Sequence, residues 1–298
     1  MPRPAGSDFS GHVVQLGSES LKTTYPWLKE GLAVYGTTEN RPPTSIKSKT
    51  SGALSTYTIL NAESIQALPT NSAAVKAGLN LESGAGLGIA GMTAVALNEH
   101  VREGDRVLIN GGTTAVGLFA ADIAKAKGAS FVVATGSGSK IDFLKKRGLD
   151  DVVDYRATDA KTELATRFGA QPFDVVLDTV GSPELHICSA SFLKPGGAWV
   201  NIGASFVKPD TSVFSFEALG FILWSVRGVL PSVLGGHSRT LLRAVPTKPM
   251  LGTLRQHLER GEVRPVVDEV FPWTEAPQAY AKLIQGRALG KIVVKVGE

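Results

Sequence analysis

The chain has 298 residues, of which 43% are hydrophobic and 19% are charged, and its net charge at pH 7 is +4. This length is sufficient for a large core and predicts two domains. The sequence pI is near 9.1, which leaves a nucleic-acid-binding module as an alternative, but the chain contains no basic run that would favour it. The single cysteine, Cys188, excludes an intramolecular disulfide and a multi-cysteine zinc site.

The sequence predicts a cytoplasmic protein without membrane contact. The first ten residues, MPRPAGSDFS, lack the apolar core of a signal peptide and are too short and too acidic for an amphipathic transit helix. The longest apolar stretch, Ala218–Val226, is too short to cross a bilayer.

Residues 1–87 are predicted to be rich in β-strand. Three strand-like runs, Ser10–Gly17, Gly31–Gly36 and Leu54–Asn61, are separated by turn residues. The segment Glu39–Gly52 has the composition of a loop.

Residues 88–232 alternate between strand-like and helical segments. The predicted strands are Val107–Ile109, Phe131–Thr135, Val152–Tyr155, Phe173–Gly181 and Ala198–Ala204. This alternation is typical of an α/β fold with a doubly wound parallel sheet. Residues 233–298 then predict two helices and a closing strand at Lys291–Val296.

The segment Val107–Gly128, VLINGGTTAVGLFAADIAKAKG, combines a buried strand, a glycine turn and a helix. Free backbone N–H groups at such a helix start attract a pyrophosphate, so the segment predicts a dinucleotide-binding unit. Gly112, Thr114 and Gly117 occupy the three positions of a G-x-G-x-x-G pattern, with threonine in the middle. A plain strand-to-helix connection is the alternative interpretation.

The next strand predicts NADPH rather than NADH. NAD-preferring sites carry an acidic residue about 20 residues past the glycine turn. Here the strand ends in Thr135-Gly136-Ser137, without a carboxylate, and Lys140 follows. A small polar loop with a cation suits a 2′-phosphate, although Lys140 could equally be an exposed lysine in a first helical turn.

Two further polar segments, Asp178–Gly181 and Asn201–Ala204, are predicted at the carboxyl ends of strands. Ligands of open α/β sheets bind at that edge, while strand-terminating turns are the alternative. The five histidines lack metal-ligand spacing, and the sequence has neither a G-x-S-x-G nor a G-x-x-x-x-G-K-[ST] motif. We therefore expect no metal site, serine hydrolase or P-loop NTPase.

Taken together, the segments GMTAVALNE, VLINGGTTAVG, VVLDTVG and GGAWVNIG, with the closing GEVRPVVDEVFPWTEAPQAYAKLIQGRALGKIVVKV, resemble the medium-chain dehydrogenase/reductase superfamily. Within it the chain is similar to the zinc-free quinone oxidoreductase-like branch, which includes enoyl reductases. The loop GGTTAVG is similar to the GGSTxVG form of fungal trans-acting enoyl reductases.

The resemblance implies a Rossmann NADPH-binding domain, residues 88–232, inserted in a GroES-like β-barrel catalytic domain built from residues 1–87 and 233–298. It places Thr93 beside the nicotinamide, the loop Thr113, Thr114, Ala115 and Val116 at the pyrophosphate, Lys140 and Tyr155 at the 2′-phosphate, and Gly203 and Ala204 beside the nicotinamide. The glycine pattern adds Gly112 and Gly117 to the predicted cofactor-binding residues, and the small polar loop adds Ser137.

Two departures from the family pattern shape the expectation. Gly6-Ser7-Asp8 stands where zinc-dependent members carry Gly-His-Glu, so no zinc is expected. Family members also have roughly fifty more residues before the Gly6 position, which predicts an N-terminally truncated chain and an incomplete barrel.

The predicted function is hydride transfer from NADPH to an activated C=C bond or a quinone in a small-molecule substrate. No proton donor is assigned: Tyr35 is a candidate by residue type, with a barrel-core aromatic as the alternative. A truncated, non-catalytic NADPH-binding protein is the alternative function. A homodimer is possible, through an edge strand at Phe221–Val229.

Overall fold

The computed structural model describes residues 5–38, 52–202, 238–241 and 248–297. The chain forms two compact units. The discontinuous unit comprises residues 1–96 and 244–298, and the inserted unit comprises residues 97–243. The division into 1–87, 88–232 and 233–298 stays a prediction.

The described strands are, in chain order, β1 (Asp8–His12), β2 (Ala33–Thr37), β3 (Ile65–Ala67), β4 (Arg106–Asn110), β5 (Phe131–Gly136), β6 (Asp151–Asp154), β7 (Phe173–Asp178), β8 (Leu193–Asn201), β9 (Ser238–Leu241), β10 (Val267–Pro272) and β11 (Lys291–Lys295). The described α-helices are α1 (Ser20–Thr24), α2 (Ser72–Lys76), α3 (Leu81–Gly84), α4 (Gly88–Leu97), α5 (Ala115–Ala126), α6 (Lys140–Lys146), α7 (Ala160–Phe168), α8 (Pro183–Ile187), α9 (Lys248–Glu259) and α10 (Ala276–Ile284). In the described part of the chain, no helix is long and apolar enough to span a membrane.

The inserted unit is built on a parallel sheet of six strands in the order β6-β5-β4-β7-β8-β9. The chain runs outward from β4 in one direction and then outward from β7 in the other, so a topological switch point lies between these two strands. Strand centres such as Leu108, Val133 and Val176 are completely buried, as expected when helices cover both faces of a parallel sheet. The predicted doubly wound Rossmann sheet is confirmed.

The discontinuous unit contains two smaller sheets. Strands β1, β2 and β3 form an antiparallel sheet in that order, and β10 pairs in parallel with β11. A hydrophobic cluster of Tyr25, Leu28, Val34 and Ile65 packs beside the first sheet.

One predicted strand, Leu54–Asn61, is wrong. These residues form bends and unpaired chain, and Tyr57 and Ile59 are 74% and 93% exposed. The sequence pattern is typical of a half-buried strand. Because the side chains of Tyr57 and Ile59 do not pack on a core, burial does not stabilise pairing of this segment with a neighbouring strand. The third strand of the sheet is instead the short β3, whose Ile65 lies opposite Gly36 of β2. The predicted dimer segment Phe221–Val229 lies outside the described residues.

Candidate functional site

The glycine turn, defined here as Gly111–Gly117, connects β4 to α5 at the switch point of the sheet. Gly111 has φ +88°, and a Cβ atom there would lie 2.5 Å from Thr179 Oγ1. A Cβ at Gly112 would lie 2.4 Å from Ala134 Cβ, and one at Gly117 would lie 2.2 Å from the carbonyl oxygen of Gly111. The turn therefore packs so closely that none of these three positions accepts a side chain without movement.

Thr114 is the N-cap of α5, which explains the threonine in the middle of the glycine pattern. Its Oγ1 accepts the N–H of Gly117 at 2.9 Å and lies 2.9 Å from the carbonyl oxygen of Gly111, to which it can donate. The helix begins at Ala115, because Thr114 has an extended backbone. Ala115 and Val116 are the first two helical residues, so their N–H groups have no intrahelical acceptor and are available to an anion.

A buried network of hydrogen bonds connects the glycine turn to the ends of β5 and β7. Thr135 Oγ1 accepts the N–H of Gly111 at 2.8 Å and donates to Asn110 Oδ1 at 2.9 Å. The carbonyl oxygen of Thr135 accepts the N–H of Gly112 at 2.9 Å. Asn110 in turn donates through Nδ2 to Asp178 Oδ1 at 2.8 Å. The ends of β4, β5 and β7 are thus joined at one point.

Asp178 is the centre of this network. Its carboxylate, which is completely buried, accepts hydrogen bonds from two side-chain amides and three backbone N–H groups. The donors are Asn110 Nδ2, Asn201 Nδ2 and the N–H groups of Val180, Gly181 and Ser182, at 2.8–3.1 Å. Burial raises the pKa of Asp178, and the N–H group of Gly181 is the foremost of the donors that oppose this rise.

The β5–β6 edge, defined here as Ser137, Lys140 and Tyr155, lies where two neighbouring strands end. Ser137 Oγ and the Tyr155 hydroxyl lie within hydrogen-bond distance, at 3.2 Å, and the N–H of Lys140 donates to the carbonyl oxygen of Ser137 at 3.3 Å. Tyr155 is 50% exposed. The structure therefore brings the three predicted residues of the 2′-phosphate subsite to one edge of the sheet, with two hydroxyls accessible from outside.

The remaining predicted residues do not belong to this cluster. Thr93 lies on α4 in the discontinuous unit and is 3% exposed, and its cofactor contact stays a prediction. Gly203 and Ala204 lie outside the described residues. Tyr35 is completely buried in the discontinuous unit, and its hydroxyl has no hydrogen-bond partner in the described ranges. Burial raises its pKa, as expected for a core aromatic.

Among the described residues, no group of three or more His, Cys, Asp or Glu side chains is placed so that it could hold a metal ion such as zinc. Asp8, from the Gly6-Ser7-Asp8 segment, accepts the N–H of Ile89 at 2.7 Å through Oδ1. Its Oδ2 pairs with Lys291 Nζ at 2.8 Å. Both oxygens of this carboxylate therefore serve the packing of the discontinuous unit.

Sequence reasoning did not assign a role in the site to Asn110, and it included Thr135 and Thr179 only as members of polar segments at strand ends. Each is a polar residue at the end of a β-branched run, and that position is the signal that could have identified it. Their partners could not be read from the sequence, because the hydrogen bonds join strands that are adjacent only through the order of the sheet.

Comparison with known proteins agrees with this architecture. The zinc-binding dehydrogenase family matches residues 147–294. The trans-enoyl reductase pgmF of Aspergillus terreus is 32% identical over 303 residues, covering 100% of this chain and 78% of that protein.

Two solved structures have the same fold. The quinone oxidoreductase of Coxiella burnetii is 25% identical with a TM-score of 0.74, covering 100% of this chain and 80% of that one. The mycobacterial protein Rv1454c, solved in complex with NADPH, is 20% identical with a TM-score of 0.72, covering 97% and 81%. The sequence match to the Aspergillus protein over the whole chain, together with the Rossmann sheet, shows that the chain belongs to the medium-chain dehydrogenase/reductase superfamily of oxidoreductases.

Proposed function

We propose that the protein is an NADPH-dependent, zinc-independent reductase that transfers a hydride to an activated C=C bond or a quinone. The β5–β6 edge is the observation that supports NADPH rather than NADH as the cofactor. The hydroxyls of Ser137 and Tyr155 lie 3.2 Å apart where NAD-dependent enzymes carry a carboxylate for the ribose 2′-hydroxyl.

The glycine turn fits the pyrophosphate of a dinucleotide. Gly111, Gly112 and Gly117 let the turn pack closely against the ends of β5 and β7, as the glycines of a dinucleotide-binding turn do. The N–H groups of Ala115 and Val116 form the positive end of the α5 dipole, which favours a negative charge there.

The β5–β6 edge fits a 2′-phosphate. Two hydroxyls can donate to phosphate oxygens, and the ammonium group of Lys140, one turn of chain beyond Ser137, can add a charge-assisted hydrogen bond. A carboxylate at the Gly136 or Ser137 position would repel the phosphate, and this chain has none there.

Bound NADPH supplies the hydride, and the protein supplies binding and orientation. The relatives support the proposed acceptor class: the Aspergillus protein is named a trans-enoyl reductase and the Coxiella protein a quinone oxidoreductase. Zinc independence is supported by Asp8, whose two carboxylate oxygens are bound to Ile89 and Lys291.

The experiment is a screen for NADPH oxidation with quinones, enones and enoyl thioesters, run before and after dialysis against a chelator. We expect oxidation with at least one acceptor class, a clear preference for NADPH over NADH, and no loss after chelation. Loss of activity that zinc restores would contradict zinc independence. NADPH binding without oxidation of any acceptor would identify a non-catalytic NADPH-binding protein instead.

Lys140→Ala provides the matching variant. Removal of its ammonium group should raise the KM for NADPH about tenfold and leave the KM for NADH unchanged. Lys145→Ala is the control, because Lys145 lies on the same helix, α6, and is exposed. Equal effects of the two variants would show that general charge, rather than the β5–β6 edge, attracts the cofactor.

A further inference from the structure

Asp154 is the last residue of β6 and lies opposite Gly136, the last residue of β5, in the parallel register of the sheet. The residue after Gly136 is Ser137 and the residue after Asp154 is Tyr155. The two hydroxyl residues of the β5–β6 edge therefore leave the sheet side by side, and the Asp154 side chain begins at the point where they diverge.

The Asp154 carboxylate binds the backbone of the loop that follows β6, which begins with Tyr155. Its Oδ1 accepts the N–H of Arg156 at 2.9 Å and that of Ala157 at 3.3 Å, both in the loop after β6. These N–H groups, foremost that of Arg156, and the N–H group of Gly138 in the loop after β5 lower the pKa of Asp154. The side chain is thus charged at neutral pH and fixes the turn of the loop that carries Tyr155.

The loop after β5 is held by backbone hydrogen bonds to the start of α6, where the N–H groups of Lys140 and Ile141 donate to the carbonyl oxygens of Ser137 and Gly138 at 3.3 and 3.2 Å. Gly138 has φ +57°, and a Cβ atom there would meet nothing within 4 Å, so packing does not restrain it. The N–H of Tyr155 donates to the carbonyl oxygen of Gly136 at 3.2 Å, which fixes the start of the divergence but not its width. The contacts of the carboxylate with Arg156 and Ala157 lie directly after Tyr155, so they set the course of the chain that carries the Tyr155 hydroxyl.

We propose that Asp154 is a positioning residue that sets the distance between Ser137 and Tyr155 and thereby selects a nucleotide carrying a 2′-phosphate. The selection rests on the proposed function, because it concerns the phosphate subsite of the same cofactor. Asp154 does not touch the phosphate. Its Oδ1 accepts two backbone N–H groups, which also limits the repulsion that the carboxylate exerts on an anion at this edge.

The test compares the dissociation constants of adenosine 2′,5′-bisphosphate and 5′-ADP in the wild type and in Asp154→Ala. We expect the variant to bind the 2′-phosphorylated nucleotide about tenfold more weakly, and 5′-ADP within about twofold of the wild type. Asp154→Asn retains a carbonyl oxygen that accepts the same N–H groups, so its loss should be smaller. It also replaces the alanine variant if that variant fails to fold.

Asp159→Ala is the matched control. Asp159 is in the same β6–α7 connection, and its substitution removes the same charge. It caps α7 instead, where its carboxylate accepts the Thr162 hydroxyl at 2.8 Å. The control should bind both nucleotides as the wild type does. If Asp154→Ala leaves the ratio of the two dissociation constants as it is in the wild type, whether or not both nucleotides bind more weakly, the positioning role alone is overturned. A wild type that binds both nucleotides equally would overturn the proposed NADPH preference, and the positioning role with it.

Discussion

The glycine turn and the β5–β6 edge belong to the same sheet but are built in opposite ways. The glycine turn is fixed by backbone packing and by a buried network that ends at Asp178. The β5–β6 edge presents side chains on loops, and its Tyr155 is half exposed. Changes at the first should therefore affect folding and every dinucleotide, whereas changes at the second should affect only the choice between dinucleotides.

The largest effect is expected for Asp178→Ala. It leaves the side-chain amides of Asn110 and Asn201 and three backbone N–H groups without their buried acceptor. We expect a loss of about 3 kcal/mol or more in unfolding free energy, measured by urea denaturation. The control is Asp174→Ala on the same strand, β7, because Asp174 is partly exposed and pairs with Lys194. A smaller loss for Asp178→Ala than for Asp174→Ala would contradict the supporting role of the network.

Gly117→Ala should come next. The new Cβ would lie 2.2 Å from the carbonyl oxygen of Gly111, so the backbone at Gly111 must move away from the first turn of α5. Such overpacking lowers the unfolding free energy by about 1–3 kcal/mol. Titration should show that the dissociation constants for NADPH and NADH both rise by about tenfold or more.

Gly252→Ala is the control for this substitution. Gly252 is also helical, on α9, but a Cβ atom there meets nothing within 4 Å. This variant should bind both cofactors normally and unfold at the same or a higher temperature, since alanine is favoured over glycine in helices by about 0.5–1 kcal/mol. Unchanged cofactor binding in Gly117→Ala would disprove the pyrophosphate assignment of the turn.

Tyr155→Phe should act on one cofactor only. It removes the hydroxyl that lies 3.2 Å from Ser137 Oγ and keeps the ring. We expect about a fivefold rise in the dissociation constant for NADPH and none for NADH. Tyr57→Phe, at a 74% exposed tyrosine of the discontinuous unit, should change neither. A parallel rise for NADH would mean that Tyr155 supports the fold rather than the 2′-phosphate.

The smallest effect concerns pH. Burial raises the pKa of Asp178 above its unfolded value near 3.8, so its contribution to stability is full below that value and is lost as pH rises through the folded pKa. The unfolding free energy of the wild type minus that of Asp178→Asn should therefore decrease as pH rises above about 4. A difference that is constant or increases with pH would contradict the raised pKa.

The sequence predicted the strand–turn–helix at Val107–Gly128 because a β-branched run, two glycines and a helical apolar pattern are local signals. It also predicted Ser137 and Tyr155 as cofactor-binding residues, through the missing carboxylate and the family resemblance; the structure brings their hydroxyls to 3.2 Å from each other, and their contact with a cofactor stays a prediction. It did not predict the contacts of Asp178 with Asn110 and Asn201, since these depend on β7 lying between β4 and β8. The incorrect strand at Leu54–Asn61 has the same cause: strand formation depends on a partner that no local pattern reveals.

The most direct test of the account is the ratio of the NADPH and NADH dissociation constants of the wild-type chain, measured by isothermal titration at one ionic strength. If the β5–β6 edge holds a 2′-phosphate, NADPH should bind at least about tenfold more tightly. Equal binding, or tighter binding of NADH, would contradict the account.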